Sequence, residues 1–198
     1  MKGLKKIQYN SPVILTFALI SLVALGLNYL THGATNKLLF SVYRSSPLNP
    51  LTYLRMFTHV LGHANLSHYV GNFMLILMVG PMLEEKYGSS KMIFMILFTA
   101  LITGLINIAF FGNVALLGAS GIAFMFILLS SFVNIEKGRI PLTFILIAIL
   151  YIGNEIITGV FTSDNISQFA HIIGGVCGCI FGWGIDPERN PDEILNKY

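Results

Sequence analysis

Residues 116–126 read LLGASGIAFMF, a serine set between glycines at the threshold of an apolar run. From Ser120 to Asn134 the chain advances 14 residues, a helical rise of about 21 Å against a hydrocarbon core of ~30 Å. A helix that opens at Ser120 therefore stops about 10 Å short of one membrane face. The non-helical NVALLGA ahead of it must then line a cavity or lie under protein, because bare backbone is not tolerated in lipid. The stretch predicts a serine hydroxyl at the bottom of a water-accessible dent inside a membrane.

The rest of the chain agrees with a membrane setting. Of its 198 residues 55% are hydrophobic and 11% charged, and the mean hydropathy is +0.74, which excludes an ordinary soluble domain. Six apolar runs approach spanning length, at roughly 12–30, 67–83, 92–110, 119–135, 141–158 and 169–185. The expected fold is all-α: a polytopic bundle of six transmembrane helices over 12–185, with a short cytoplasmic amino terminus (1–11) and a polar cytoplasmic tail (186–198). MKGLKK followed by an apolar run imitates a signal peptide, but no small-residue cleavage site follows, so it reads as the first span. The longest connection, 31–66, carries breakers at Pro47 and Pro50. Leu51, Leu54, Phe57 and Leu61 then recur at helical spacing, the pattern of a loop seated partly in the outer leaflet. Turns are expected at EEKYGSSK, FFGNVALLG, NIEKGRIP and FTSDNISQ.

Basic residues set the orientation. With the amino terminus inside, Lys2, Lys5, Lys6, Lys86, Lys91, Lys137, Arg139, Arg189 and Lys197 face the cytoplasm, and only Lys37, Arg44 and Arg55 lie outside. The formal charge of +3 is scattered over span ends and calls for no nucleic acid. Cys177 and Cys179 are two apart in one helix, point to different faces and read as packing residues. Short tails without a targeting presequence favour a prokaryotic plasma membrane.

Polar groups inside a membrane are functional candidates by default. His68, Asn72, Ser120 and His171 each fall within a turn or two of the outer end of spans two, four and six, so all four share one depth. A serine hydroxyl becomes a nucleophile when an imidazole takes its proton, and His171 is the base within reach if its helix packs on the serine helix. Gly174, Gly178 and Gly182 form the GxxxG stripe that permits such an approach. His68 and Asn72, four apart on one helical face, offer an imidazole N–H and an amide to a developing oxyanion. The Ser120 backbone N–H at a helix start is a third donor. Gly118 and Gly121 let the backbone come close to a substrate. GxSG alone is a weak signal, since a packing turn explains it as well; the conjunction of four complementary residues at one depth is the strong one. His59 and His63 also stand at a metal-compatible spacing, but no third ligand accompanies them and HExxH is absent, so no metal and no organic cofactor is expected.

Through HANLSHYVGN (63–72), GASG (118–121) and AHIIGG (170–175), in that order, the chain resembles the rhomboid family of intramembrane serine proteases over about 50–184. The resemblance implies a six-helix bacterial core and a Ser120–His171 dyad without a third acidic member. It further implies an oxyanion hole from the Ser120 N–H, His68 and Asn72, and lateral substrate entry past the fifth span. The partners it implies are transmembrane protein substrates with a helix that unwinds easily and a small residue before the cleaved bond, within membrane lipid. By the same resemblance Gly118 belongs to the serine motif, His63 supports the loop near the site, Glu84 ties loops together and Arg55 matches the arginine of a Trp-Arg pair whose tryptophan is here Leu54. Phe124 stands where many relatives carry tyrosine beneath the catalytic imidazole, keeping a stack and losing a hydroxyl. Glu155, near the outer end of span five, reads either as an interface residue or as an influence on the gate.

Two rival functions remain. A non-catalytic rhomboid-like protein that binds membrane clients would typically lack the dyad, which is present here. A small transporter would carry mid-span acidic residues or paired broken helices, and the sequence has neither.

Overall fold

The computed structural model describes residues 8–111, 113–133 and 165–187, with isolated positions at 142, 145, 146, 149 and 150. The expected fifth span, 141–158, is described only at those isolated positions. Glu155, the gate region, the terminal lysines, Lys137, Arg139 and Arg189 lie outside the described residues. The described fold is helical: α1 (Pro12–Leu30), α2 (Ala34–Leu39), α3 (Pro50–Thr58), a 3-10 turn (His59–Leu61), α4 (Leu66–Tyr87), α5 (Ser89–Phe110), α6 (Ser120–Ser130) and α7 (Asn165–Gly184). Among the described residues α1, α4 and α5 are long and apolar enough to cross a membrane, whereas α6 and α7 are apolar but shorter on that measure.

The first expected span, 12–30, coincides with α1. Pro12 opens the helix, where its missing N–H costs nothing. The carboxylate of Glu84 caps α1 from α4, accepting from the Val13 and Ile14 amides at 3.0 Å each and from Ser89 Oγ at 2.7 Å. Glu84 thus ties the start of α1 to the end of α4 and the start of α5. Lys91 Nζ donates to the Asp186 carbonyl at 3.1 Å, which brings the end of α7 to the same pole. At the other pole Tyr29 Oη accepts from the Leu66 amide, and Arg44 caps the last carbonyls of α5, Ile108 and Ala109.

Several boundaries differ from the sequence reading, among them the start of α7, where Asn165–Gln168 of the expected turn FTSDNISQ are already helical. EEKYGSSK is not an open turn: α4 runs on to Tyr87 and α5 begins at Ser89, with Gly88 alone between them. Its φ of +79° lets the chain reverse at one residue. The fourth run, expected to reach 135, leaves the α-helical form after Ser130. Ser131, Phe132 and Val133 donate to carbonyls three residues back, and Ser130 Oγ takes the Ile127 carbonyl at 2.7 Å. These tighter bonds close the last turn.

The core lies where α1, α4, α5, α6 and α7 converge, around Ile14, Phe73, Ile76, Met95, Ile122, Met125 and Phe126. α6 is buried on nearly every side. The outer helices instead expose Leu22, Val23, Met78 and Phe94, as helices solvated by lipid do. α3 is turned the same way: Leu54 and Phe57 are exposed while Thr52 and Arg55 are buried. Its apolar side thus faces outward, in keeping with an interfacial loop. Arg55 is held beneath it by Tyr43 Oη at 2.9 Å, Ser45 Oγ at 2.6 Å and the Tyr43 ring face at 4.3 Å. With leucine at position 54, the aromatic face against Arg55 comes from Tyr43.

Candidate functional site

Ser120 is the first residue of α6, and the segment leading to it is fixed by three distant parts of the chain. Val42 and Leu116 exchange both backbone hydrogen bonds at 2.9 Å, an isolated antiparallel bridge. The Asn107 amide on α5 donates to the carbonyls of Val42 (3.0 Å) and Val114 (3.1 Å), holding both sides of that bridge. Gly118 N–H donates to the His59 carbonyl at 3.0 Å. Gly118 itself has φ +124°, a conformation open chiefly to glycine. A Cβ there would come within 2.8 Å of the His68 ring and 3.6 Å of Asn72 Nδ2. The turn before Ser120 and the polar face of α4 are therefore in direct apposition.

That polar face has defined tautomers. His63 is fully buried. Its Nδ1 lies 3.1 Å from the Leu61 carbonyl and must donate to it, so Nε2 is an acceptor. Nε2 takes Asn72 Nδ2–H at 3.0 Å and the Ala119 amide at 3.4 Å. Ala64 N–H donates to His68 Nδ1 at 3.5 Å, which leaves the proton of His68 on Nε2, the atom beside Gly118. Asn65 starts α4 by accepting the His68 amide at 2.9 Å. The His63 ring also stands edge-on to His68 and Tyr69, with centroids at 5.1 and 5.4 Å.

His59 and His63 do not face one another. His59 Nε2 sits 3.2 Å from Thr103 Oγ1 on α5 and Nδ1 3.2 Å from the Arg55 carbonyl. Burial pushes both imidazoles down to about 4, with the neighbouring His68 adding to the effect at His63. Among the described residues there is no cluster of three or more His, Cys, Asp or Glu.

The other flank is made by α7, which packs along α6 through its glycines. A Cβ on Gly174 would overlap the Gly121 carbonyl, and one on Gly178 would overlap that of Met125. The carbonyl of Ala170 lies 3.4 Å from where a Gly121 Cβ would stand. Any side chain at Gly121 would thus meet the residue before His171. One turn along, the rings of Phe124 and His171 stack at 4.4 Å with planes 6° apart. Ser120 and Phe124 are four apart and share a helical face, so the imidazole lies over the face that carries the serine. Both Ser120 and His171 are half-buried. Cys177 is buried on the same helix and Cys179 half-buried, both free.

The expected residues thus gather in two groups around the start of α6: His63, His68, Asn72 and Gly118 on one side, Gly121, Phe124, His171, Gly174 and Gly178 on the other. The sequence reading missed the parts that hold the loop, namely Val42, His59, Thr103 and Asn107. A readable signal existed for Asn107, an amide near the end of an otherwise apolar span.

The family model described as the Rhomboid domain matches residues 50–187. Comparison with the curated proteins finds no match.

Proposed function

The chain belongs to the rhomboid family, and from that premise we propose that it is an intramembrane serine endopeptidase acting on peptide bonds in or beside transmembrane segments of other proteins. It is an integral membrane protein, and in this reading one six-helix unit over 12–185, with loop 31–66 partly embedded, opens its site to the outer side of a plasma membrane. The observation that carries the reading is the contact of α6 with α7: Phe124 stacked on His171, and Gly121 against Ala170 and Gly174. That contact supports a reading in which the His171 imidazole serves the Ser120 hydroxyl at the start of α6.

In the proposed reaction the Ser120 hydroxyl oxygen attacks the scissile carbonyl carbon and His171 takes its proton. The electron pair of the carbonyl moves to oxygen. Three donors receive it: the Ser120 amide, the Nε2–H of His68, and the Asn72 N–H not given to His63. Collapse breaks the C–N bond, and the imidazolium returns its proton to the departing amine. Water then attacks the acyl carbon, giving a proton to His171; collapse breaks the C–O bond to Ser120, the imidazolium returns that proton to the serine oxygen, and the acid product leaves. The Phe124 stack fixes the plane of the imidazole, an orienting task that an acidic third residue performs in triads. A substrate must first unwind, because a helical carbonyl is already hydrogen-bonded and hidden.

Cleavage of a tagged transmembrane substrate by the protein in liposomes tests this, beside Ser120→Ala and His171→Ala and with EDTA in a parallel sample. Cleavage that persists in EDTA and is lost in both variants supports the dyad. Absence of cleavage over a panel of substrates, with Ser120 unlabelled by a fluorophosphonate, points instead to a client-binding protein.

A further inference from the structure

Away from Ser120, a groove of about 520 Å³ runs between α1 and α5 and is roofed by Leu61 of the 3-10 turn. Its walls are Thr16, Phe17 and Ile20 on one helix and Ile93 and Leu97 on the other. Ile20, Ile93 and Leu97 are 48%, 47% and 45% exposed, so the groove opens sideways between two helices that are both long and apolar enough to span a membrane. From Ser89 to Leu97 it rises about 12 Å, close to the ~15 Å of hydrocarbon in a single leaflet. At the pole where α1 begins, the groove meets a second cavity of about 480 Å³, and Pro12 and Ser89 line both. This second cavity is more polar than the groove, with Asn10, Ser11, Glu84 and Glu85 on its walls and no basic side chain among its described lining residues.

We infer that the two cavities form one site for a glycerophospholipid with an amine headgroup, an acyl chain lying in the α1–α5 groove and the ammonium resting on Glu85. The depth of the groove and its side opening fit a chain of the leaflet at the α1 start, and Leu61 stops it near mid-membrane. The two carboxylates differ in availability. Glu84 has both oxygens engaged by Val13, Ile14 and Ser89, whereas Glu85 is exposed and has no partner among the described residues. A pocket lined by carboxylates repels an anionic headgroup and attracts an ammonium. This inference goes beyond the protease reading and rests only on α1 and α5 crossing the bilayer.

The test is native mass spectrometry of the full chain, purified in non-ionic detergent and offered equimolar phosphatidylethanolamine and phosphatidylglycerol of identical acyl chains. The wild type is expected to retain one lipid with about threefold preference for the ethanolamine headgroup, the scale of one partly solvated ion pair. Glu85→Gln, at an exposed position that folding does not depend on, should retain the two lipids equally. Ile93→Trp fills the groove from its open side and should lose the retained lipid of both kinds. Equal retention of the two headgroups by the wild type, or a lipid still held by Ile93→Trp, would overturn the site.

Discussion

On one side of the site, α6 meets α7 through glycines, Gly174 on Gly121 and Gly178 on Met125, with Phe124 stacked on His171 between them. On the other side, the turn ahead of Ser120 meets α4 and the long loop through hydrogen bonds: Gly118 to His59, Ala119 and Asn72 to His63, Leu116 to Val42. The first flank is a matter of approach distance and the second a matter of donor direction. They should therefore break differently, the glycine flank all at once and the hydrogen-bonded flank one donor at a time.

The largest effect is expected at Gly174. Even alanine places its Cβ on the Gly121 carbonyl, a backbone atom that cannot turn aside, and forced overpacking costs about 1–3 kcal/mol. Gly174→Ala should lose cleavage and lower the thermal midpoint together. Gly71, on α4, is the control, because nothing lies within 4 Å of its Cβ position. Gly71→Ala should be neutral or should stabilise by about 0.5–1 kcal/mol. A fully active Gly174→Ala would mean that α7 is not held to α6 by close approach.

Next comes the removal of one donor. In the proposed mechanism Asn72→Ala withdraws an oxyanion hydrogen bond, worth about 10²–10³ in kcat, while Ala119 still donates to His63. The thermal midpoint should move little and KM should stay near its original value. If Asn72→Ala lowered stability as much as Gly174→Ala and spared kcat, the contrast between the flanks would collapse.

The two flanks were also unequally legible. GxxxG is a local repeat, so the close approach at Gly174, Gly178 and Gly182 could be read at once. α1 was readable from its apolar run of roughly 12–30. The hydrogen-bonded flank joins residues far apart in the chain. Val42 pairs with Leu116 and Asn107 spans both, and no periodicity announces a single bridge between two loops. His59 and His63 were a spacing without a meaning until the fold sent one to Thr103 and the other to Asn72. The short α6 was foreseen as a dent in the membrane, but its end at Ser130 depends on tightened local bonds that an apolar run does not reveal. The reversal at Gly88 was masked by polar neighbours that imitate a longer turn.

The hydrogen-bonded flank also responds to acid. His59 and His63 titrate near 4 when folded and near 6.5 when unfolded. Between these values only the unfolded chain binds the protons, so stability is complete above about pH 6.5 and falls toward pH 4. The slope is at most about 1.4 kcal/mol per pH unit for each imidazole. Thermal inactivation measured from pH 7 to pH 4 should show this loss. His63→Gln, whose Oε1 can still accept from Asn72, should make the loss shallower by removing one of the two groups. An unchanged slope in that variant would place the acid response elsewhere.

The smallest effect belongs to a directional contact on the glycine flank. Phe124 and His171 lie nearly parallel at 4.4 Å, and such a pair contributes about 0.5–1.5 kcal/mol beyond the area it buries. Phe124→Leu retains bulk but frees the imidazole plane, so kcat should fall by up to about tenfold with little change in thermal midpoint. Phe124→Tyr keeps the stack and should stay close to the wild-type rate. If leucine and tyrosine behaved alike, the ring would be acting as bulk. The approach of α7 through Gly174 and Gly178, rather than the stack, would then set the position of His171.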